Sequence, residues 1–338
     1  MDMKRVGKAI AQLRKEAGLT QKELADRIGI SDKAVSKWER GISYPDITYL
    51  GKLANLLDTD SDSLLSGDML CCEREWQGLL ALRESVCNIG LDAMLYDKPL
   101  VYYLLGYFLL AGIDSISIAC SERDRAVLQN MLGNGDRLGV SLNYCGIFGG
   151  SIDDDAVFSD CQKIMLVFDR HLVFGAGLTR FFQRAMSDRK HPILLVNQAV
   201  SVCPDERVLV NEHQMIVSAD GKGRMERRRN YRKLPIIFAP RQRLSDICRY
   251  AAKEADSVHS MCVERLDRGF VDFSLESWDD VAEASAFVRT VQRASGTKLY
   301  SIEEIAWRRR MIDKEMLRAL SAEQTDMYYG QYLLSLLE

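Results

Sequence analysis

Over the first sixty residues apolar side chains recur every three or four positions, a spacing that lines them along one face of a helix. Val6, Ile10, Leu13 and Ala17 form the first such stripe, and Gly18 stands where a glycine commonly closes a helix. Thr20, with Glu23 three residues on, opens a second helix as a capping box; Leu24 and Ile28 give its inner face and Gly29 its end. Ser31 is the N-cap of a third helix that turns Val35 and Trp38 inward and stops before Gly41. Asp46, after Pro45, caps a fourth helix with Ile47, Leu50, Leu53, Ala54 and Leu57 on its inner side, and Ser61 to Leu65 predicts one more turn. The polar stretch Gly67 to Glu75 interrupts this pattern, and the period then changes. Ser115–Ala119, Lys163–Phe168, Ile193–Asn197, Val208–Val210, Met215–Ser218 and Leu234–Ala239 are short apolar, β-rich runs, with helical stretches such as Tyr102–Ala111 and Leu178–Met186 between several of them. The pattern predicts an all-α domain over 1–67, a linker over 68–75, and over 76–338 an α/β domain with a mixed, mostly parallel sheet. There is no internal repeat or heptad run.

The 338 residues suffice for about two domains. Apolar residues at 47% and charged ones at 28% exclude disorder along the whole chain. The net charge is −3, yet residues 1–40 carry ten Lys or Arg against six Asp or Glu, so any nucleic-acid surface is local and N-terminal. Leu100 to Ile113, the longest apolar stretch, is too short to span a bilayer, and no signal-type run follows Met1. Nine cysteines without a C-x-x-C pair fit reduced thiols, among them the adjacent Cys71 and Cys72. We therefore expect a cytoplasmic protein with no membrane partner. His171, His191, His213 and His259 are widely spaced and Asp153–Asp155 reads as a helix start, so no metal site is expected. Arg224, Arg227, Arg228, Arg229, Arg232 and Lys233 read as a solvated turn after Ala219–Gly223, and Arg308–Arg310 as surface partners of Glu303 and Glu304.

Two short helices joined by a tight glycine turn make a helix-turn-helix, which sets its second helix into the major groove. Ser31, Asp32, Lys33, Ser36 and Lys37 fall outside the Val35/Trp38 stripe, where short polar and cationic side chains reach base edges and phosphates. Asp32 reads either as an acceptor for cytosine N4 or as a first-turn acid. The run from Leu13 to Asp58, with TQKELA and ISDKAVSKWERG at its centre, resembles the Xre, lambda-repressor-like helix-turn-helix domain over nearly its whole length. The resemblance implies double-stranded DNA as partner. It implies that Gln21 binds a phosphate and braces the recognition helix, that Asp32, Lys33 and Lys37 read bases, and that Arg40 contacts the backbone. It also implies a buried ion pair, Arg14 with Glu39, between the first and third helices.

YDKPLVYYLLGYFLLAGIDSISIACSERD, followed in order by RGF at Arg268–Phe270, EASAFVRTVQ, EEIAWR and YGQYLLSLL, is similar to glucose-1-phosphate thymidylyltransferases and related sugar-phosphate nucleotidyltransferases. The likeness covers most of residues 76–338 and implies their Rossmann-like fold, with Tyr102, Tyr103, Tyr328 and Tyr329 at core and interface positions. The chemistry departs from that family. Its glycine-rich phosphate loop corresponds to GLLALRESVCNIGLDAML, which lacks the signature, and Gly90–Met94 lacks the family's lysine. Of its two metal carboxylates, Asp169 in VFDRH keeps a vestigial position beside Arg170, and Ser274 replaces the other. We expect no catalytic residue, cofactor or metal ion. The sequence reads as a DNA-binding transcriptional regulator, a homodimer or higher oligomer, whose second domain assembles the protein or senses a sugar phosphate or sugar nucleotide. The alternative is an active sugar-1-phosphate nucleotidyltransferase fused to a DNA-binding module.

Overall fold

A computed structural model describes residues 3–16, 19–57, 64, 75–82, 89–146, 161–187, 191–198, 207–210, 215–218, 229–251, 261–324 and 326–337. The chain divides into two compact units, Met1–Cys71 and Cys72–Glu338.

The first unit is helical: α1 Met3–Glu16, α2 Gln21–Ile28, α3 Asp32–Glu39 and α4 Ile47–Leu56. Each stripe is spent on one core. Val6, Ile10, Leu13, Leu24, Ile28, Val35, Trp38, Leu50, Leu53, Leu57 and Leu64 are buried together. Thr20, Ser31 and Asp46 cap α2, α3 and α4, as their positions before each apolar period predict. α1 and α3 approach so closely that a Cβ on Gly7 would stand 2.2 Å from the Trp38 carbonyl oxygen. Ala17, Gly18, the Ser61–Leu65 turn apart from Leu64, and the joint from Gly67 to Arg74 lie outside the described residues.

The second unit is built on a mixed sheet. β1 (Trp76–Ala81) lies between β4 (Ser115–Ala119) and β6 (Lys163–Val167), parallel to both, and β5 (Ser141–Cys145) extends the parallel set beyond β4. α5 (Leu100–Ala111) follows the two-residue strands β2 (Met94–Leu95) and β3 (Lys98–Pro99) and is buried along most of its length. α6 (Glu122–Leu132) joins β4 to β5. Beyond β6 runs the long antiparallel β11 (Arg229–Pro240). Its other edge carries β8 (Ile193–Asn197), while β9 (Arg207–Val210) shares the β6 edge, since Ile237 pairs with both β6 and β8 and Arg232 with both β8 and β9. β10 (Ile216–Ser218) adds to β9 antiparallel, and β12 (Cys262–Arg265) to β8 in parallel. β7 (His171–Phe174) and β13 (Val271–Ser274) form a separate antiparallel ribbon. α7 (Leu178–Ser187) and α8 (Leu244–Ala251) lie between strands in sequence, and α9 (Trp278–Ser295), α10 (Ile302–Arg308), α11 (Lys314–Ala322) and α12 (Met327–Ser335) close the chain.

The basic run ending at Lys233 differs from expectation. Arg229, Arg232 and Lys233 belong to β11 rather than to a turn, because β8 and β9 supply ladder partners on both sides. Arg224, Arg227, Arg228 and the turn at Ala219–Gly223 lie outside the described residues, as do Asp153–Asp155, His213, His259, Cys71 and Cys72. Glu304 pairs with Arg308 at 2.7 Å as expected, but Glu303 is buried and accepts from Tyr329 Oη at 2.6 Å. Of the paired tyrosines, Tyr103 and Tyr329 are core residues, while Tyr328 is 74% exposed.

One buried polar cluster ties the β2–β3 hairpin to the terminal helices. Asp97 accepts from Lys98 at 2.7 Å, Lys298 at 2.9 Å and Tyr103 Oη at 3.2 Å. Burial raises its pKa, but the two ammonium groups outweigh that and hold it below the usual carboxylate value. Burial moves Lys98 down and Glu303 up, each toward its neutral form. No helix among the described residues is long and apolar enough to cross a membrane.

Candidate nucleic-acid interface

The turn between α2 and α3 is fixed from both sides. At the start of α2 the Glu23 carboxylate accepts the Thr20 N–H at 2.7 Å, and Thr20 Oγ1 accepts the Glu23 N–H at 3.2 Å. The Thr20 N–H, with the Thr20 hydroxyl, lowers the Glu23 pKa. At the end of α2, Gly29 adopts φ 84°, a left-handed conformation open to glycine at no steric cost. Two residues later Ser31 Oγ accepts the Ala34 N–H at 3.3 Å and α3 begins.

α3 presents two faces. Val35 and Trp38 are buried, while Ser31, Asp32, Lys33, Lys37 and Arg40 are exposed and Ser36 is half-buried. Lys33, Ser36, Lys37 and Arg40 follow the three-, four- and seven-residue spacing of one helix face. Among the described residues, no acid pairs with Lys33, Lys37 or Arg40. Asp32 lies at the margin, and its Oδ1 accepts the N–H of Lys33 at 2.8 Å. Its carboxylate thus turns back on the first turn of its own helix, where the helix dipole favours an anion.

Behind this face, Arg14 Nε donates to Glu39 Oε1 at 2.6 Å, its Nη2 to Oε2 at 3.2 Å, and its Nη1 to the Leu19 carbonyl at 2.6 Å. Both side chains are about nine-tenths buried, with 10% and 7% exposed. A third partner is present that the spacing gave no sign of: Gln21 Nε2 donates to Glu39 Oε2 at 2.6 Å. One carboxylate therefore joins α1, α2 and α3, and sets the angle at which the exposed face of α3 is held.

In the second unit Asp169 follows the C-terminal end of β6, where open α/β sheets place their ligands. Its Oδ1 accepts the Arg170 N–H at 2.9 Å, and Arg170 Nε donates to the Ile89 carbonyl at 2.9 Å. The β7–β13 register sets Ser274 opposite His171, and the Leu275 N–H reaches the Arg170 carbonyl at 2.8 Å. The turn bearing Asp169 and the strand bearing Ser274 are thus neighbours. The acid that β13 does carry, Asp272, accepts from Asn197 at 2.6 Å and from Arg232 at 3.0 Å. A hard divalent cation needs several anionic oxygens. One carboxylate beside a guanidinium, facing a hydroxyl, does not fit that need. Among the described residues no group of three or more His, Cys, Asp or Glu is placed to hold a metal ion. Arg83–Asn88, in the stretch that corresponds to a phosphate loop, lies outside the described residues.

Residues 10–64 match the helix-turn-helix family model HTH_3. The chain is 26% identical over 264 residues to a glucose-1-phosphate thymidylyltransferase of Neisseria meningitidis, covering 72% of this chain and 90% of that protein. It is 28% identical over 282 residues to one of Mycolicibacterium smegmatis, covering 74% and 93%. A solved structure of a candidate glucose-1-phosphate thymidylyltransferase from Bacillus anthracis in complex with sucrose aligns over 63% of this chain and 94% of its own, with a TM-score of 0.48 and 15% identity.

Proposed function

Because the chain joins an Xre-like helix-turn-helix domain to a C-terminal region homologous to glucose-1-phosphate thymidylyltransferase, we propose that it is a sequence-specific transcriptional regulator whose second domain has lost nucleotidyl transfer. The observation that carries the first half is the cationic face of α3, which pairs with no acid among the described residues and is held by the buried Arg14–Glu39–Gln21 cluster. Lys33 and Lys37 enter the groove, Ser31 and Ser36 flank them, and Gln21 and Arg40 meet the phosphates on either side. Gln21 can do so through the second N–H of its amide while the first stays on Glu39. Asp32 acts as the first-turn acid.

The second half rests on the donor set around Asp169. Phosphoryl transfer depends on positioning and on neutralising phosphate charge, and Asp169, Arg170 and Ser274 offer no divalent centre for that. The domain then pairs two DNA modules as a homodimer or higher oligomer, since a single small module binds weakly alone, or it takes a sugar phosphate or sugar nucleotide as an effector. The protein works in the cytoplasm.

Duplex binding followed against salt tests the regulator. Lys33→Ala and Lys37→Ala each weaken binding and flatten the salt dependence by about one unit of slope. Unchanged binding by both variants refutes the assignment of α3. Pyrophosphate release from a nucleoside triphosphate and a hexose 1-phosphate with Mg²⁺, abolished by Asp169→Ala, restores the enzyme reading.

A further inference from the structure

Resting on that reading, we infer that α3 selects guanine: the half-site it occupies contains G·C pairs read from the guanine side, with no adenine read by a bidentate contact. The argument is one of donors and acceptors on the exposed face. Lys33 and Lys37 stand one turn apart at its centre, and each ammonium has three donors and no acceptor. Guanine presents two acceptors, N7 and O6, to the major groove, and adenine presents only N7 beside a donor amino group. An ammonium therefore gains a second bond at guanine and meets a like donor at adenine. Adenine is read in bidentate fashion by the amide of Asn or Gln, which offers donor and acceptor together. α3, DKAVSKWE, contains neither. Gln21 is the one amide side chain between α1 and α3; one of its two N–H donors is on Glu39 at 2.6 Å and the other, in the proposed reading, goes to a phosphate, which leaves none for adenine N7.

No carboxylate stands at the centre of this face to accept from cytosine N4. The carboxylate of α3 nearest to it, on Asp32, lies at the margin with Oδ1 on the Lys33 N–H. Glu39 is turned inward onto Arg14. Ser36, half-buried between the two lysines, accepts or donates and discriminates little.

The experiment is selection of bound duplexes from a random pool by the full-length chain, followed by two variants and one base analogue. The expected result is a half-site with guanine on one strand at two positions. Replacing either guanine by 7-deazaguanine, which removes the N7 acceptor, should lower affinity about ten-fold. Lys33→Gln should move the preference at one of those positions from guanine to adenine, and Lys37→Gln at the other. Both substitutions are on exposed positions, and an unchanged melting temperature confirms that the helical unit still folds. Enriched sites without guanine, tolerance of 7-deazaguanine at both positions, or glutamine variants that keep the parent preference overturn the inference while leaving DNA binding intact. No enrichment at low salt overturns the DNA-binding reading itself, and the inference with it.

Discussion

Glu39 accepts hydrogen bonds from side chains that two other helices deliver, Arg14 from α1 and Gln21 from α2. Arg14→Ala leaves this carboxylate buried with only an amide beside it and should cost about 3–5 kcal/mol, read as a lower denaturant midpoint at constant slope. Gln21→Ala removes one hydrogen bond to a charged group and should cost about 1.5–3 kcal/mol. In a Glu39→Ala background the same substitution should cost almost nothing, so the double-mutant cycle reports the coupling directly. The resemblance carried Arg14 and Glu39 to their positions. It assigned Gln21 to a phosphate and to bracing the recognition helix; that the brace is a bond to Glu39 was not legible in the spacing, because a contact between side chains 18 residues apart leaves no mark on the apolar period. The same holds for Asp272 and Arg232, 40 residues apart, each of which reads in the sequence as an ordinary surface charge.

Helices were legible where one face is buried and one is wet. The caps at Thr20, Ser31 and Asp46 and the glycine end of α2 stand where helical spacing puts them, and the strands Ser115–Ala119 and Ile193–Asn197 where short apolar, β-rich runs put them. β1 was not picked out by its own pattern: Trp76–Ala81 is wholly buried, as Ile193–Asn197 is, but it carries Gln77 and Gly78 and no β-branched residue to mark it as a strand. β11 was read as Leu234–Ala239, yet it begins at Arg229, because its charged first half is held by neighbouring strands rather than by apolar burial. The turn between α2 and α3 gives two predictions at this scale. Ser31→Ala should cost about 1 kcal/mol by loss of the cap. Gly29→Ala, forced into φ 84°, should cost about 1–2 kcal/mol. Both should weaken DNA binding less than Lys33→Ala at temperatures where the domain stays folded, as thermal melts beside binding isotherms will show.

At the scale of the whole chain, two structural units carry unlike demands. In the second, Asp97 holds Lys98 and Lys298 inside the fold, and its pKa lies below the unfolded value. The stability it contributes is therefore present above the ordinary carboxylate pKa, and is lost as pH falls through the depressed folded value. Glu303 has the opposite sign. Its folded pKa is raised by burial, so its contribution is present below the unfolded pKa and is lost as pH rises through the folded one. Asp97→Asn should therefore weaken the second unit at neutral pH and flatten the acid limb of its stability curve. Chemical denaturation of the full chain from acid to neutral pH, followed through tryptophan fluorescence, tests this. A curve with the same acid limb as the parent would remove Asp97 from the account. The α/β class and the order of its segments could be read from alternating periods. The sharing of one β11 edge by β6 and β9 could not, since no local pattern encodes which strands become neighbours.

The bond between Arg232 and Asp272 bears on whether a single substitution at Ser274 could build a cation site. Asp272 and Ser274 point to the same side of a two-stranded ribbon, two positions apart. An aspartate introduced at Ser274 would meet a carboxylate already neutralised by a guanidinium from β11, and an incoming cation would have to displace that guanidinium before gaining either oxygen. One substitution at Ser274 is thus opposed by a neighbour on another strand, and a cation site on this ribbon would require a change at Arg232 as well.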